Sequence, residues 1–368
     1  MRVLVLNWLN WTHPLWGGAE VYLRETSQRM ASRGHEVTVL SSTYDGCVSN
    51  ELLHQVHVAR RGRFWTYGLE LPWHYHRLVR ERGAWDVVVE YTNKVPLLSP
   101  LWAGRPVVAV AHHLWGRAIF AESPLPLAAA VWASEALIPL AYRHVPWLAV
   151  SESTRADLIS RGIPAGSVSL APNGIDLPSA NIGTATPDSH LPRVAWVGRV
   201  RRYKRLNLLI EAMAVVRRTV ADAMLDVVGD GPALAGARAL AAQLGLGPDA
   251  VTFHGSVPDA VRDQVVGRAW VLAQPSIKEG WGRTVLEAGA MGVPSVVANS
   301  PGLRDAVVAG QTGVVVNGSA PDDFARAITG LLRDDALRAR LGAGARTFAG
   351  THRWDDATDA TEEQLRKE

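Results

Sequence analysis

The sequence predicts an α/β protein with two doubly wound parallel-sheet domains. Its 368 residues exceed the usual size of one domain and suffice for two domains of about 150 to 200 residues, each with its own core. Both halves alternate short, valine-rich apolar runs with longer amphipathic segments, which is the pattern of parallel strands and crossover helices. A stretch rich in proline, glycine, serine and threonine, 177–193, predicts a linker between the halves.

Composition narrows the class of protein. Hydrophobic residues make up 48% and charged residues 20%, as in soluble globular proteins, and the net charge of +3 gives no indication of a nucleic-acid partner. Cys47 is the only cysteine, so no intrachain disulfide can form. The first residues lack the features of a signal peptide, and no uncharged run approaches the ~18 residues of a membrane-spanning helix. We therefore expect a cytoplasmic protein.

The first elements form a βαβ unit. Arg2–Asn7 and His35–Ser41 are predicted strands, and Ala19–Ser32 is the helix between them. Gly17 and Gly18 stand just before the helix, where they would let the backbone approach a ligand phosphate. A tight turn is the alternative explanation for two adjacent glycines.

Two further valine-rich strands follow, Trp85–Glu90 and Pro106–Ala111. His112 and His113 come directly after the second strand, at the end where open α/β sheets bind their ligands. A histidine there can hydrogen-bond a sugar hydroxyl or stabilise charge in a transition state. The alternative is a polar pair that merely ends a strand.

The segment Ser123–Arg143 is strongly apolar and is interrupted by prolines; Glu135 is its only charge between Glu122 and Arg143. We expect a buried helix here. The wall of an acceptor pocket, or a surface that touches a membrane or a lipid-linked acceptor, are the alternatives.

Aromatic residues are concentrated in the first half of the chain. Indole rings offer flat apolar faces to sugar rings or hydrophobic acceptors. The tryptophans that fall in predicted loops are the better candidates for that role: Trp8, Trp11, Trp16 and Trp115. Arg60–Arg63 with Phe64 and Trp65 forms a basic and aromatic patch, either a solvated loop or a contact for an anionic acceptor.

Further on, Ser151 or Ser153 is the expected N-cap of a helix that ends at Ser160.

The second half repeats the α/β alternation. Arg193–Val197, Met224–Val228 and Val251–Gly255 are predicted strands, and Gly313–Val316 closes the sheet. A cationic loop follows the first of these strands and precedes a helix, an arrangement that suits a bound anion.

The stretch 274–298 holds two carboxylates, Glu279 and Glu287, separated by a glycine-containing loop. The glycines predict that a loop carries Glu279 and that a helix begins near Gly282 and carries Glu287. We expect the backbone N–H groups from Gly282 to Val285 to be free to bind a phosphate. One carboxylate could accept hydrogen bonds from sugar hydroxyls while the other holds a ribose, which suits a nucleotide sugar.

The segment EGWGRTVLEAGAMGVPSVV, with its E-x7-E spacing, closely resembles the signature of the retaining GT-B glycosyltransferases of family 4. The segments WGGAE, VSLAPNGID and GDGP resemble other family segments, so the resemblance covers nearly the whole chain. It implies a GT-B fold with a first domain at 1–178, a donor-binding domain at 192–351 facing it across a cleft, and a C-terminal helix, about 352–368, that packs back on the first domain.

The resemblance also implies residue roles. Arg199 and Lys204 would bind the donor diphosphate, while Glu279 and His112 would contact the sugar, and these four form the expected catalytic set. The expected donor-binding residues are Gly17, Gly18, Gly229, Ser256, Val257, Gly280, Trp281, Gly282, Arg283, Thr284 and Glu287. The expected acceptor residues are Trp11, Trp16, His113 and Trp115. The chain departs from the family pattern at His113, where the family has an acidic residue, and at Pro301, where it has glycine.

The activity implied is transfer of a hexosyl group from a nucleoside diphosphate sugar, UDP favoured over GDP, to a hydroxyl of a glycan, a lipid-linked sugar or an aglycone. We expect retention of configuration and no metal or other cofactor, since no DxD-like segment is placed to hold a metal. Peripheral contact with the inner face of the membrane remains open. The alternatives are a phosphorylase, a sugar-nucleotide epimerase, or a non-catalytic subunit that binds sugar nucleotides.

Overall fold

The computed structural model describes residues 1–92, 95–176 and 191–367. The chain divides into two compact units, Met1–Gly174 with Arg353–Glu368, and Ile175–His352. Most of the predicted linker, 177–193, lies outside the described residues.

The first unit is built on an eight-stranded sheet. Its strands are β1 (Arg2–Leu6), β2 (Glu36–Ser41), β3 (Asn50–Leu53), β4 (Val56–Arg60), β5 (Val87–Thr92), β6 (Val107–Ala111), β7 (Trp147–Ala149) and β8 (Val168–Leu170). Its first five helices are α1 (Gly18–Ser32), α2 (Tyr67–Arg82), α3 (Leu125–Glu135), α4 (Ile138–Ala141) and α5 (Glu152–Ser160). The strand order is β3-β4-β2-β1-β5-β6-β7-β8, and every pair is parallel except the β3–β4 hairpin.

The central strands of this sheet are apolar on both faces because helices cover both sides. Val3, Leu4, Val5 and Leu6 of β1 are fully buried, and Leu4 pairs with Thr38 of β2 on one side and with Val88 of β5 on the other. One cluster of buried side chains joins α2, α4 and α5 to the same face of the sheet. Of the two candidate N-caps, Ser151 caps α5, since its Oγ accepts the Thr154 N–H at 3.0 Å.

The second unit contains a six-stranded, wholly parallel sheet. Its strands are β9 (Arg193–Val197), β10 (Met224–Val228), β11 (Val251–Gly255), β12 (Val271–Gln274), β13 (Ser295–Ala298) and β14 (Gly313–Val316). Its helices are α6 (Leu206–Val216), α7 (Leu234–Gln243), α8 (Asp259–Gly267), α9 (Arg283–Ala290), α10 (Pro321–Arg333) and α11 (Asp335–Gly350). The strand order is β11-β10-β9-β12-β13-β14.

Each sheet reverses its winding at a central strand. The chain runs from β9 outward to β10 and β11, then returns to β12 on the other side of β9. In the first unit, β1 occupies the corresponding place between β2 and β5. Open α/β sheets bind ligands beyond the carboxyl ends of the strands at such a reversal. The loops after β9 and β12 are therefore where the second unit should hold a ligand.

The last helix, α12 (Trp354–Leu365), belongs to the first unit and packs on α1. The Trp354 ring lies 5.8 Å from the Tyr22 ring, and Arg33 donates to Asp359 at 2.5 Å. Gly174 lies against the start of this helix, where a Cβ would overlap the backbone of Trp354. The glycine is therefore required for this packing.

The expectation of a buried helix at Ser123–Arg143 is wrong. The segment forms α3 and α4, in which only every third or fourth side chain points inward, while Leu125 and Leu140 are 72% and 80% exposed. Both faces of α3 are apolar, so its hydrophobicity did not reveal which face is buried.

Within the described residues, no helix combines the length and the apolar character that crossing a membrane requires.

Candidate active site

The loops after β9 and β12 bring together two predicted site residues of the second unit. Lys204 donates a hydrogen bond to the Glu279 carboxylate at 2.5 Å, and the two side chains are only 15% and 14% exposed. Burial lowers the pKa of Lys204, but the negative charge of Glu279 and the hydrogen bond to it outweigh burial, so the pKa is raised overall. Lys204 is therefore a fixed positive charge at the sheet's winding reversal.

Arg199 supplies a second cation in the same loop. It is half-buried, and its guanidinium forms no hydrogen bond or ion pair with the part of the chain that is described.

Gly229, at the end of β10, lies against this loop: its φ is +131°, and a Cβ would overlap the carbonyl oxygen of Gly198. The N–H of Gly229 donates to the Gly255 carbonyl at 2.8 Å. Gly229 thus contributes by letting the cationic loop lie close to β10.

The loop that carries Glu279 rests on the loop after β13. The N–H of Glu279 donates to the Pro301 carbonyl at 3.0 Å, and the N–H of Gly282 donates to the Gly302 carbonyl at 3.1 Å. Ser300 Oγ donates to the Ser276 carbonyl at 2.7 Å. The loops after β12 and β13 therefore meet here, and the position of Glu279 depends on the loop 300–302.

Sequence reasoning gave the loop 300–302 no role in the site. Gly302 has a φ of +79°, and a Cβ there would overlap the carbonyl oxygen of Glu279. Of the adjacent residues Pro301 and Gly302, the packing therefore requires glycine at Gly302. The sequence signal that could have indicated this role is the glycine that follows the buried strand β13.

The expectation that the N–H groups from Gly282 to Val285 are free is wrong for three of the four. Gly282 donates to Gly302, Arg283 donates to the Trp281 carbonyl at 2.9 Å, and Val285 donates to the Gly282 carbonyl at 2.9 Å. Only the Thr284 N–H lacks an acceptor among the described residues. In the first turn of α9 the Val285 N–H forms an i→i−3 bond and the Arg283 N–H an i→i−2 bond, and both use donors that an ideal helix leaves free.

Glu287 lies one turn into α9, beside cations. Its carboxylate is 3.4 Å from Arg283, and it is 18% exposed. Arg262 of α8 is also close enough to respond to it: burial lowers the pKa of Arg262, while the charges of Glu287 and Asp263 raise it. The carboxylate therefore lies beside two cations at the edge of the helix, where hydroxyl groups can reach it.

The remaining predicted donor-binding residues differ in their exposure and in whether their backbone groups are free to bind a ligand. Ser256 is exposed, Val257 is half-buried, and their backbone N–H and C=O groups form no hydrogen bonds within the described part of the chain. Gly280 is half-buried. The Trp281 ring packs into the core and lies 5.4 Å from the His352 ring. Trp281 therefore braces the loop with its side chain.

In the first unit, Gly17 is the N-cap of α1 and Gly18 is its first residue, and they do not form the tight turn that was the alternative. Gly17 has an extended φ of −155°, Gly18 is absent from the positive-φ positions, and a Cβ at Gly18 would have no neighbour within 4 Å. The Gly17 N–H donates to Glu20 at 2.8 Å. Nothing inside the described protein requires glycine at either position.

His112 follows β6 and is only 4% exposed. Its ring stacks on Tyr91 at 5.8 Å and meets the edge of Tyr22 at 5.1 Å, while its Nε2 has no partner among the described residues. Burial, together with the charge of His113, lowers the pKa of His112 to about 3. The imidazole is neutral at pH 7, so it can form a hydrogen bond to a ligand but does not supply a positive charge.

The loop after His112 is held by Glu135, the single charge in the middle of the apolar segment. This buried carboxylate accepts the N–H groups of Trp115 at 2.5 Å and Gly116 at 2.8 Å, and it pairs with Arg161 at 3.1 Å. A lone carboxylate in an apolar stretch was the sequence signal for this role. It fixes the loop that carries two predicted acceptor residues.

The predicted acceptor residues lie in two loops of the first unit. The rings of His113 and Trp115 are 5.0 Å apart, Trp11 is half-buried, and Trp16 is 41% exposed. Trp8 is different: it packs into the core, and its indole N–H donates to the Phe64 carbonyl at 2.9 Å. Trp8 is therefore not an acceptor contact.

Among the described residues, no group of three or more His, Cys, Asp or Glu side chains is placed to hold a metal ion.

Two family models match the chain. Residues 16–178 match Glycosyltransferase Family 4, and residues 185–348 match Glycosyl transferases group 1. The D-inositol 3-phosphate glycosyltransferase of Salinispora arenicola is 30% identical, over 92% of this chain and 84% of the relative. A GDP-mannose-dependent alpha-(1-6)-phosphatidylinositol monomannoside mannosyltransferase of Mycobacterium tuberculosis is 33% identical, over 56% of this chain and 57% of the relative.

Solved structures show the same fold. Sucrose-phosphate synthase from Thermosynechococcus elongatus has a TM-score of 0.81 at 20% identity, covering 100% of this chain and 98% of that one. Anabaena HepE in complex with UDP and glucose has a TM-score of 0.77 at 22% identity, covering all of both chains. The chain therefore has the GT-B fold and belongs to glycosyltransferase family 4, the group 1 glycosyl transferases.

Proposed function

We propose that this glycosyltransferase moves a hexosyl group from a nucleoside diphosphate sugar to an acceptor hydroxyl, with retention of configuration and without a metal ion. The observation that carries the proposal is the cationic loop after β9. Arg199 has no partner among the described residues there, and Lys204 is a fixed charge paired with Glu279, both at the winding reversal of the second sheet. Family membership supports a nucleotide-sugar donor, since one relative is named as GDP-mannose-dependent and a structural neighbour holds UDP and glucose.

The two cations would bind the diphosphate. Two phosphates carry more negative charge than one carboxylate, so a bound donor would draw Lys204 away from Glu279. The released carboxylate would then accept hydrogen bonds from the hydroxyls of the sugar. Glu287 would accept those of the ribose, and the Thr284 N–H would add a donor at the start of α9.

The nucleobase would be read by the free backbone groups of Ser256 and Val257. Backbone recognition of this kind distinguishes bases by shape and edge pattern, and we propose that UDP is preferred and GDP is second. HepE, which matches along its whole length, is described with UDP, and this supports the order.

In the first unit, Gly17 and Gly18 would approach the donor phosphate, because the fold itself gives no reason for glycine there. Neutral His112 would hydrogen-bond the transferred sugar through its unpartnered Nε2. Trp11, Trp16, His113 and Trp115 would contact the acceptor. Relatives are named for D-inositol 3-phosphate and for a phosphatidylinositol mannoside, and we propose an acceptor hydroxyl on a glycan, a lipid-linked sugar or an aglycone.

The step itself would be a front-face displacement. The acceptor oxygen forms the new bond to the anomeric carbon on the face from which the diphosphate leaves, and the bond between that carbon and the phosphate oxygen breaks. The departing phosphate oxygen takes the acceptor's proton, and Arg199 and Lys204 stabilise the charge that develops on it. No covalent enzyme intermediate is needed.

Proton NMR of the purified chain with UDP-sugars or GDP-mannose, and with D-inositol 3-phosphate as one acceptor, tests the proposal. We expect release of the nucleoside diphosphate in EDTA and an α-linked product from an α-linked donor. A β-linked product, or activity only with added Mg²⁺, would contradict retention or metal independence respectively. Sugar 1-phosphate formed only with inorganic phosphate would indicate a phosphorylase, and an altered free nucleotide sugar would indicate an epimerase.

A further inference from the structure

Helix α2 has apolar side chains on two opposite faces. Its inner face is the buried set Tyr67, Leu71, Tyr75 and Leu78, each no more than 2% exposed, which packs into the core. A helix on the surface of a globular protein normally presents polar residues on the opposite side. Here the opposite side begins with Trp65, Leu69 and Trp73, which are 79%, 87% and 62% exposed. Among the described residues its rings contact only near neighbours in the chain: Trp65 contacts Phe64, and Trp73 contacts His74 and Arg77.

Leu69 and Trp73 are four residues apart on the helix, so they lie above one another, and Trp65 lies in the turn just before the helix, four residues ahead of Leu69. The same line continues through His76 to Arg80. The stripe is therefore aromatic and aliphatic at its N-terminal end and basic at its C-terminal end. Scattered exposed apolar residues need no explanation, but an ordered row of three large ones does.

Cations surround the stripe and are largely unopposed. Arg63 and Arg80 form no ion pair or side-chain hydrogen bond within the described residues, and Arg77 lies 5.8 Å from the centre of the Trp73 ring. The acidic residues of the helix are already engaged. Glu70 accepts from Thr66 at 2.5 Å, and Glu81 pairs with Arg77 at 2.9 Å.

We propose that this surface, the α2 outer face formed by Trp65, Leu69 and Trp73 with Arg63, Arg77 and Arg80, docks on a bilayer that contains anionic phospholipids. Tryptophan side chains favour the boundary between headgroups and acyl chains, and arginines favour the phosphates of that layer. Charge complementarity selects the lipid surface over an apolar protein partner, because Glu81 is paired with Arg77 while Arg63 and Arg80 have no ion pair among the described residues. The docking does not depend on which donor or acceptor the enzyme uses.

Co-sedimentation of the full chain with phospholipid vesicles tests the docking. We expect binding to vesicles of phosphatidylcholine with phosphatidylglycerol, much weaker binding to phosphatidylcholine alone, and a decrease as salt rises. Replacing Trp65, Leu69 and Trp73 together with serine should reduce binding at least tenfold. Replacing the unpaired Arg63 and Arg80 with glutamine should weaken binding to anionic vesicles about 30-fold.

Variants elsewhere distinguish this surface from the other exposed apolar segment of the first unit. Serine at Leu125, Leu127 and Leu140, on α3 and α4, should leave vesicle binding unchanged. Far-ultraviolet circular dichroism and the thermal midpoint confirm that each variant is folded. Equal binding by wild type and the α2 triple variant, loss only in the α3–α4 variant, or no binding by the wild type would overturn the proposal. A concentration-dependent dimer, seen by light scattering and abolished by the α2 variant, would instead identify a second copy as the occupant and would also overturn it.

Discussion

Lys204 and Glu279 are 75 residues apart in the chain, yet the Lys204 ammonium donates to the Glu279 carboxylate at 2.5 Å. Removing one partner of so enclosed a pair leaves the other charge poorly compensated, whereas removing both does not. Comparing the two single substitutions with the double substitution therefore distinguishes two roles of the pair. In one role each charge stabilises the other, and in the role that we propose both charges act on the donor.

Lys204→Met and Glu279→Gln should each destabilise the protein by about 1–3 kcal/mol, since the pair is mostly but not wholly buried. Each should lower kcat/KM on the order of 10²–10³-fold, because a cation and a sugar contact are lost. The double variant should recover most of the stability and none of the activity. Urea unfolding and steady-state kinetics measure the two effects, and Asp249→Asn, which removes an exposed pair with Arg217, is the control. Activity restored in the double variant would show that the two charges serve only each other.

Gly302 and Gly310 offer a matched test of the supporting loop. Both have a positive φ, +79° and +74°, so alanine at either position carries a similar backbone cost of about 1 kcal/mol. Only at Gly302 would the added Cβ overlap the carbonyl oxygen of Glu279, and at Gly310 it would have no neighbour within 4 Å. Gly302→Ala should therefore lower kcat at least tenfold, with Gly310→Ala near wild type. Similar activity in the two variants would contradict the role given to the loop 300–302.

His112 should make stability depend on pH. Its pKa in the folded protein, about 3, is below the ordinary value of 6.5, so the unfolded chain binds more protons between these values and stability falls as pH drops through that range. Between pH 7.5 and pH 5 this group should cost about 2 kcal/mol of unfolding free energy. Urea unfolding of wild type and His112→Gln at both pH values measures the difference, which should be smaller in the variant. An imidazole signal of His112 that titrates near pH 6.5 by NMR would contradict the buried, neutral state.

Much of the fold could be predicted from the sequence because parallel strands buried on both faces appear as continuous apolar runs. Arg193–Val197 was predicted with the bounds that β9 has, and Gly313–Val316 with those of β14. The helix start near Gly282 was also predicted, because glycines mark where the loop ends. The error at Ser123–Arg143 has the opposite cause: a helix apolar on both faces carries no periodicity that reveals its exposed side.

The details of the site were harder to predict because they depend on contacts between distant segments. Nothing local to Gly282 shows that its N–H group donates to Gly302, or that Lys204 reaches Glu279. Trp8 was placed in a loop correctly, but its ring packs against Tyr67 at 5.5 Å, a contact between segments about 60 residues apart. Motif spacing indicates which residues gather at the ends of the strands, whereas tertiary packing decides which of their groups remain free.

We propose that the second unit holds the diphosphate and ribose of a nucleotide, with Glu287 contacting the ribose. Calorimetric titration with UDP, GDP, ADP and dTDP, in EDTA and then in Mg²⁺, tests it most directly. We expect micromolar binding of one nucleotide, UDP before GDP, unchanged by Mg²⁺. The affinity should fall about 10- to 100-fold in Glu287→Ala, which loses one or two hydrogen bonds to a charged acceptor, and should be retained in the exposed control Asp322→Ala. No binding of any of the four nucleotides, or full affinity in Glu287→Ala, would contradict the account.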